Sequence, residues 1–249
     1  MFFKKTKQVL KCYTKFAYVA KHFPIELAKK QVPESFTSMP THMKMPANFT
    51  ACPFSKLVNS RKGLTIRSCD GILDLWSKSF VLCAPFDIAI NIQDNRVQFK
   101  STDNNLFPVS QHPEEQFSGV FPDYANVKMV IPWKFVSDKS MPCMFAPAIY
   151  HMPEDIRNSI MFPSGIVDYS IVHSTNINML IKKQTEQKVI HIKAGTPLIY
   201  ITPLTNEPID VKVETLSSDS WSGLENQNIS FKSIYKFLKK KNIKTLIKS

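Results

Sequence analysis

Residues 80–100 read FVLCAPFDIAINIQDNRVQFK. Phe80–Cys83 is a short apolar run, Ile88–Ile92 alternates apolar and polar positions, and Arg96-Val97-Gln98-Phe99-Lys100 alternates again. Gln93-Asp94-Asn95 between the last two is turn chemistry, so the pair is predicted as a β-hairpin. Upstream, Leu64-Thr65-Ile66-Arg67 and Ile72-Leu73-Asp74-Leu75-Trp76 read as two further strands. Downstream, strands are predicted at Val127–Ile131, Cys143–Ala146, Ile171–His173, Asn176–Ile181, Lys188–Ile192 and Leu198–Thr202, with a weaker one at Val211–Val213. Many short strands separated by proline or polar clusters, with little helix between, indicate a mainly β chain. The expected fold is an antiparallel sandwich or barrel, jelly-roll-like in its strand pattern, over residues 63–215.

The ends of the chain differ from this body. Eight lysines against Glu26 give residues 1–31 a charge of +7, and seven lysines with no acid give residues 229–249 another +7. The formal net charge is +12, so the stretch between them carries −2. Val9, Leu10, Tyr13, Phe16, Ala17 and Ala20 recur at three- and four-residue steps, so residues 1–31 are predicted as a basic helical arm broken near Pro24. Pro33, Pro40, Pro46 and Pro53 make residues 32–62 an extended wrapping segment in which no helix is expected. Residues 216–249 read as a linker and a second amphipathic basic helix. Lysines Lys4, Lys5, Lys7, Lys11, Lys236, Lys239, Lys240, Lys241 and Lys244 are the candidates for contact with nucleic acid or a partner.

Several classes of chemistry lack their residues. There is no GxGxxG, GxxxxGK[ST], GxSxG or HExxH, and in the one His-x-Glu, His112-Pro113-Glu114, the proline prevents a helical ligand face. Cys12, Cys52, Cys69, Cys83 and Cys143 are odd in number and never form a CxxC pair. They point to a reducing compartment and to neither a disulfide framework nor a zinc site. No metal or cofactor is expected. No apolar run approaches eighteen residues, so no membrane span is expected, and the first residues lack the apolar core and cleavage site of a signal peptide. The sequons at Asn48 and Asn228 are read as coincidental.

Ala84-Pro85-Phe86-Asp87-Ile88, Gly165-Ile166-Val167-Asp168 and Ala194-Gly195-Thr196-Pro197-Leu198 occur in an order and spacing that resemble the first, third and fourth motifs of the dUTPase family. The resemblance covers about residues 80–205. It implies a β-fold that commonly forms trimers with exchanged arms, with Asp168 as the water-activating base and Asp87 as a supporting acid. The chain departs from the family pattern where it matters for catalysis. Ile171 stands at the sugar-stacking tyrosine, Tyr200 at the fourth-motif glutamine, and the glycine-rich C-terminal motif has no counterpart. A wider set, adding Gln111–Phe117 and Ile131-Pro132-Trp133, is similar to uncharacterised proteins of tailed marine phages.

Together these features lead to the expectation of a non-enzymatic phage protein. It would be a virion-associated structural or assembly component, located in the virion or host cytoplasm and not secreted. A homo-oligomer, trimer favoured, or other virion proteins would be its partners. Nucleic-acid binding through the basic arms and dUTPase-like nucleotide pyrophosphohydrolysis through Asp168 and Asp87 are the alternatives. Gly165, Asp168 and Gly195 are expected to form structural corners, Gly165 through a positive φ.

Overall fold

The computed structural model describes residues 7–44, 62–102, 109–113 and 119–225. Strands β5 (Phe80–Cys83), β6 (Ile88–Gln93) and β7 (Arg96–Ser101) appear where the opening stretch places them. The two-residue turn between β6 and β7 holds Asp94 and Asn95 at φ 51° and 59°. Positive φ at both central positions matches the right-handed twist of the flanking strands, and Asp and Asn tolerate it better than most residues. Ile88, Ile90 and Ile92 all face inward and are buried. β14 (Lys188–Ile192) pairs with the other edge of β6 and completes a three-stranded sheet.

Two larger sheets enclose the core. One runs β11 (Ile160–Met161), β13 (Ser174–Lys182), β9 (Tyr124–Ser137), β1 (Gln8–Thr14), β16 (Ile209–Thr215), with β8 (Val109–Gln111) also paired to β9. The other runs β12 (Gly165–Asp168), β10 (Pro142–Pro147), β15 (Pro197–Pro203), β5, β2 (Glu26–Leu27). β3 (His42–Lys44) and β4 (Lys62–Leu64) form a separate pair. All of these pairings are antiparallel except that of β1 with β16. Side chains from both large sheets meet in one apolar core. The Tyr169 ring lies 4.8 Å from Phe135 of β9 and 6.3 Å from Phe145 of β10. Burial pushes the thiols of Cys83 and Cys143 up to about 12, which leaves both neutral and inert.

Five expectations are corrected. The N-terminal segment is not a helical arm. Residues Gln8–Thr14 form a strand in which Leu10, Cys12 and Thr14 are buried at a period of two, and only Ala17–His22 (α1) is helical. Pairing on both sides in a sheet satisfies backbone groups that an isolated helix of that length would not hold together. Ile72–Trp76 is not a strand but lies in helix α3 (Asp70–Lys78), whose buried residues, Ile72 and Trp76, are four apart on one face. Leu64–Arg67 is strand only to Leu64, with a 3₁₀ turn at Ile66–Ser68, and Ile171–His173 is a turn rather than a strand. The proline segment contains a short helix, α2 (Glu34–Thr37), because Pro33 sits at its start, where a missing N–H costs nothing. α2 presents Phe36 to Trp76, ring centres 4.5 Å apart. A fourth short helix, α4 (Glu154–Arg157), follows β10.

Residues 218–225 are helical, and the basic run after them, with Lys236, Lys239, Lys240, Lys241 and Lys244, lies outside the described residues, as do Lys4 and Lys5, Cys52 and the two sequons.

The glycine corners separate. Gly165 lies within β12, and a Cβ built there meets nothing within 4 Å, so the expected corner is absent. Gly195 has φ +83°, and an added Cβ would stand 3.2 Å from Cε1 of Phe23. Gly195→Ala should therefore cost about 1–3 kcal/mol, whereas Gly165→Ala should stay within about 0.5 kcal/mol of the parent. Urea denaturation of the two variants checks this; equal losses would remove the distinction.

Candidate functional site

Asp168 closes β12 opposite Pro142. Its Oδ1 accepts the N–H of Met141 at 3.0 Å, the N–H of Ser170 at 2.9 Å and the Ser170 hydroxyl at 2.8 Å. Its Oδ2 accepts the Ser140 hydroxyl at 2.6 Å. Partial burial pushes the carboxyl pKa up, but the hydrogen bonds from Ser140, Ser170 and Met141 outweigh it and hold the group below its ordinary value. The side chain ties the turn after β12 to the link between β9 and β10. That geometry is a clamp between two turns. A general base works best with a pKa near the working pH, and the shift at Asp168 runs the other way.

Asp87 sits between β5 and β6. Its Oδ1 accepts the N–H of Ala194 at 2.7 Å, beside the Gly195 N–H to Ala84 carbonyl bond of 2.7 Å and the Ala84 N–H to Thr196 carbonyl bond of 2.8 Å. Three hydrogen bonds thus latch the turn before β15 onto the turn after β5. Asp87 lines a shallow trough of about 280 Å³ with Ala89, Lys100, Thr102, His191 and Lys193, and Asp168 is not part of it. The two aspartates therefore share no cleft there.

The described lysines of the first segment belong to the body's surface. Lys7 is exposed, and Lys11 on β1 pairs with Asp138 at 3.3 Å. An exposed pair of this kind contributes little to stability.

Sequence reasoning missed a buried polar chain. Trp76 of α3 donates Nε1–H to the Tyr200 hydroxyl at 3.1 Å, that hydroxyl meets Nδ1 of His151, and His151 Nε2 lies 3.1 Å from the Ala28 carbonyl. One proton order satisfies every member: indole to phenol, phenol to Nδ1, Nε2–H to carbonyl. Burial holds His151 below its ordinary pKa despite its bond to Ala28, and burial raises Tyr200 in the same way. The chain is closed and neutral, with Tyr200 only 1% exposed. It joins α3, β15, the turn after β10 and the Ala28–Lys30 turn into one unit. Nothing local in the sequence marks it, since the contacts span 49 to 124 residues.

Among the described residues, no three His, Cys, Asp or Glu side chains converge to hold a metal ion, and no helix is long and apolar enough to cross a membrane. Comparison with known proteins finds no matching family model, curated protein or solved structure.

Tyr200→Phe should lower stability by about 2–4 kcal/mol, because it strands two buried polar partners at about 1–3 kcal/mol each. Urea unfolding reads the loss; a change below about 0.5 kcal/mol would contradict the chain. Burial likewise lowers the pKa of His173, with Lys134 nearby adding to it. As pH falls below about 6.5 the unfolded chain takes up protons before His151 and His173 do in the fold, so stability is full above that pH and declines below it. His151→Gln should narrow the stability gap between about pH 7.5 and about pH 5.5; an unchanged gap would assign the acid loss elsewhere.

Proposed function

We propose that this chain is a non-enzymatic phage protein, a virion-associated structural or assembly component on a dUTPase-like β-fold. The observation that carries the reading is the engagement of Asp168. The residue that the family resemblance would make the base accepts four hydrogen bonds and serves as a turn clamp. Asp87 is likewise held by a backbone N–H. The phage assignment rests on the residue patterns of Pro85–Ile88, Ile131–Trp133 and Gly165–Asp168.

Self-assembly is supported by one edge of the fold. Edge strand β16 carries Asp210, Lys212 and Glu214, charges that discourage strand-to-strand pairing. Edge strand β12 carries no charge before Asp168 and leaves Ile166 59% exposed. Exchange of an N-terminal arm is not part of the reading, since residues 8–14 are built into the chain's own sheet.

A second reading, nucleic-acid binding, is favoured by the seven lysines of 229–249. They follow a helix that Trp221 anchors under Lys134, 5.0 Å from the ring centre, and Lys15, 5.9 Å away.

Mass spectrometry of purified particles should find the protein, and incubation with each deoxynucleoside triphosphate and Mg²⁺ should release no pyrophosphate above the protein-free rate. Absence from particles would end the structural role, and hydrolysis lost in Asp168→Asn would reverse the assignment of that carboxylate. Light scattering should give a homo-oligomer that Ile166→Lys dissociates; a monomeric parent would remove self-assembly from the reading.

A further inference from the structure

A cleft of about 330 Å³ opens where β9 begins and β13 ends, closed on its far side by β11, α4 and the turn after β10. Its lining is of two kinds. Ile149, Met161 and the buried Met152, Ile160 and Phe162 give it an apolar wall and floor. Arg157 of α4 and Lys182 of β13 bring two cations to it from separate elements. No lining residue is acidic, and among the described residues neither cation has an ion-pair partner. Glu154 and Asp155 lie in the first turn of α4 and are not part of the lining.

Arg157 is oriented by a hydrogen bond, and Lys182 is placed by the register of β13. Arg157 Nη1 donates to the Ile149 carbonyl at 3.3 Å, which orients the guanidinium and leaves its other donors unassigned. Lys182 is the cross-strand partner of Tyr124, whose ring packs edge-on against Phe121 at 5.9 Å. Ile149 and Met161 remain 41% and 39% exposed, which is apolar surface a ligand would cover. The volume lies at the lower end of the range of small-molecule sites, where apolar walls supply area and a few polar groups fix orientation.

We propose that this cleft binds a small organic anion whose carboxylate or phosphate head sits between Arg157 and Lys182 and whose apolar body lies against Ile149 and Met161. Charge-assisted hydrogen bonds to guanidinium and ammonium hold the head, and guanidinium geometry suits a two-oxygen acceptor. The site is separate from Asp168 and from Asp87, and it does not depend on the virion reading.

The test uses the full chain with octanoate and 2-naphthyl phosphate as probes, and octanol and 2-naphthol as their neutral counterparts. Calorimetry should show each anion binding at least about tenfold more tightly than its neutral counterpart, with Arg157→Gln and Lys182→Gln each weakening the anion by about tenfold or more. Both positions are exposed, so the variants should keep the parent's unfolding midpoint. Methyl-labelled methionine should show Met152 and Met161 shifting on titration, which locates the ligand independently of any substitution. Tighter binding of octanoate than of the aryl phosphate would indicate a fatty-acid-like ligand, and the reverse a phosphate ester. Failure of both anions to bind, equal binding of the neutral compounds, or methyl shifts confined to other methionines would overturn the proposal.

Discussion

Strand β1 hydrogen-bonds on both flanks, antiparallel to β9 from Leu10 opposite Ser137 and parallel to β16 from Gln8 opposite Ile209 to Thr14 opposite Thr215. A strand in that slot ties the start of the described chain to its last strand, about 200 residues later. Backbone groups buried in the middle of a sheet must be paired, so β9 and β16 depend on β1 to avoid exposing unpaired edges inside the body. Burial of Leu10 and Cys12 on the inward face then fixes the register, since a one-residue slip would turn both toward solvent. The rest of the sandwich packs on the face that this sheet presents.

On that base, polar side chains act as ties between loops. Asp168 and Asp87 each hold a pair of turns that are distant in sequence, and the Trp76–Tyr200–His151 chain does the same in the interior. In the buried Trp76–Tyr200–His151 chain, full satisfaction is what makes the polar groups tolerable, because a half-paired one costs more than an apolar replacement. At the sandwich end, Arg157 and Lys182 line an apolar cleft without an acid in its lining.

Much of the β-body is legible in the sequence, because period-two runs and turn residues report strands directly. The Asp94-Asn95 turn and strands β6, β7 and β14 follow from that signal, and β5, β10 and β15 from short apolar runs bounded by breaks. β1 is not legible, because Leu10 and Cys12 supply a strand period while Lys7, Lys11 and Lys15 supply a helical one. Pairing with β9 and β16 decides between them, and both lie more than a hundred residues away in the chain. α3 is obscured similarly, since Asp74 interrupts an apolar run in a way that fits either period until Ile72 and Trp76 are seen on one buried face. The role of Asp168 is half legible. Its bonds to Ser170 are local, whereas those to Ser140 and Met141 cross 27 to 28 residues. That Arg157 and Lys182 line one cleft has no local signature, because the pairing of β11, which follows α4, with β13 brings the two elements together.

The most direct test of this architecture is amide hydrogen exchange across residues 9–14 in the full chain. A central strand requires these amides to exchange in the slowest class, together with those of β9 and β13, by global unfolding. Exchange within about tenfold of an unstructured peptide, while β9 and β13 remain protected, would mean that the segment is a peripheral arm and would contradict the account at its foundation.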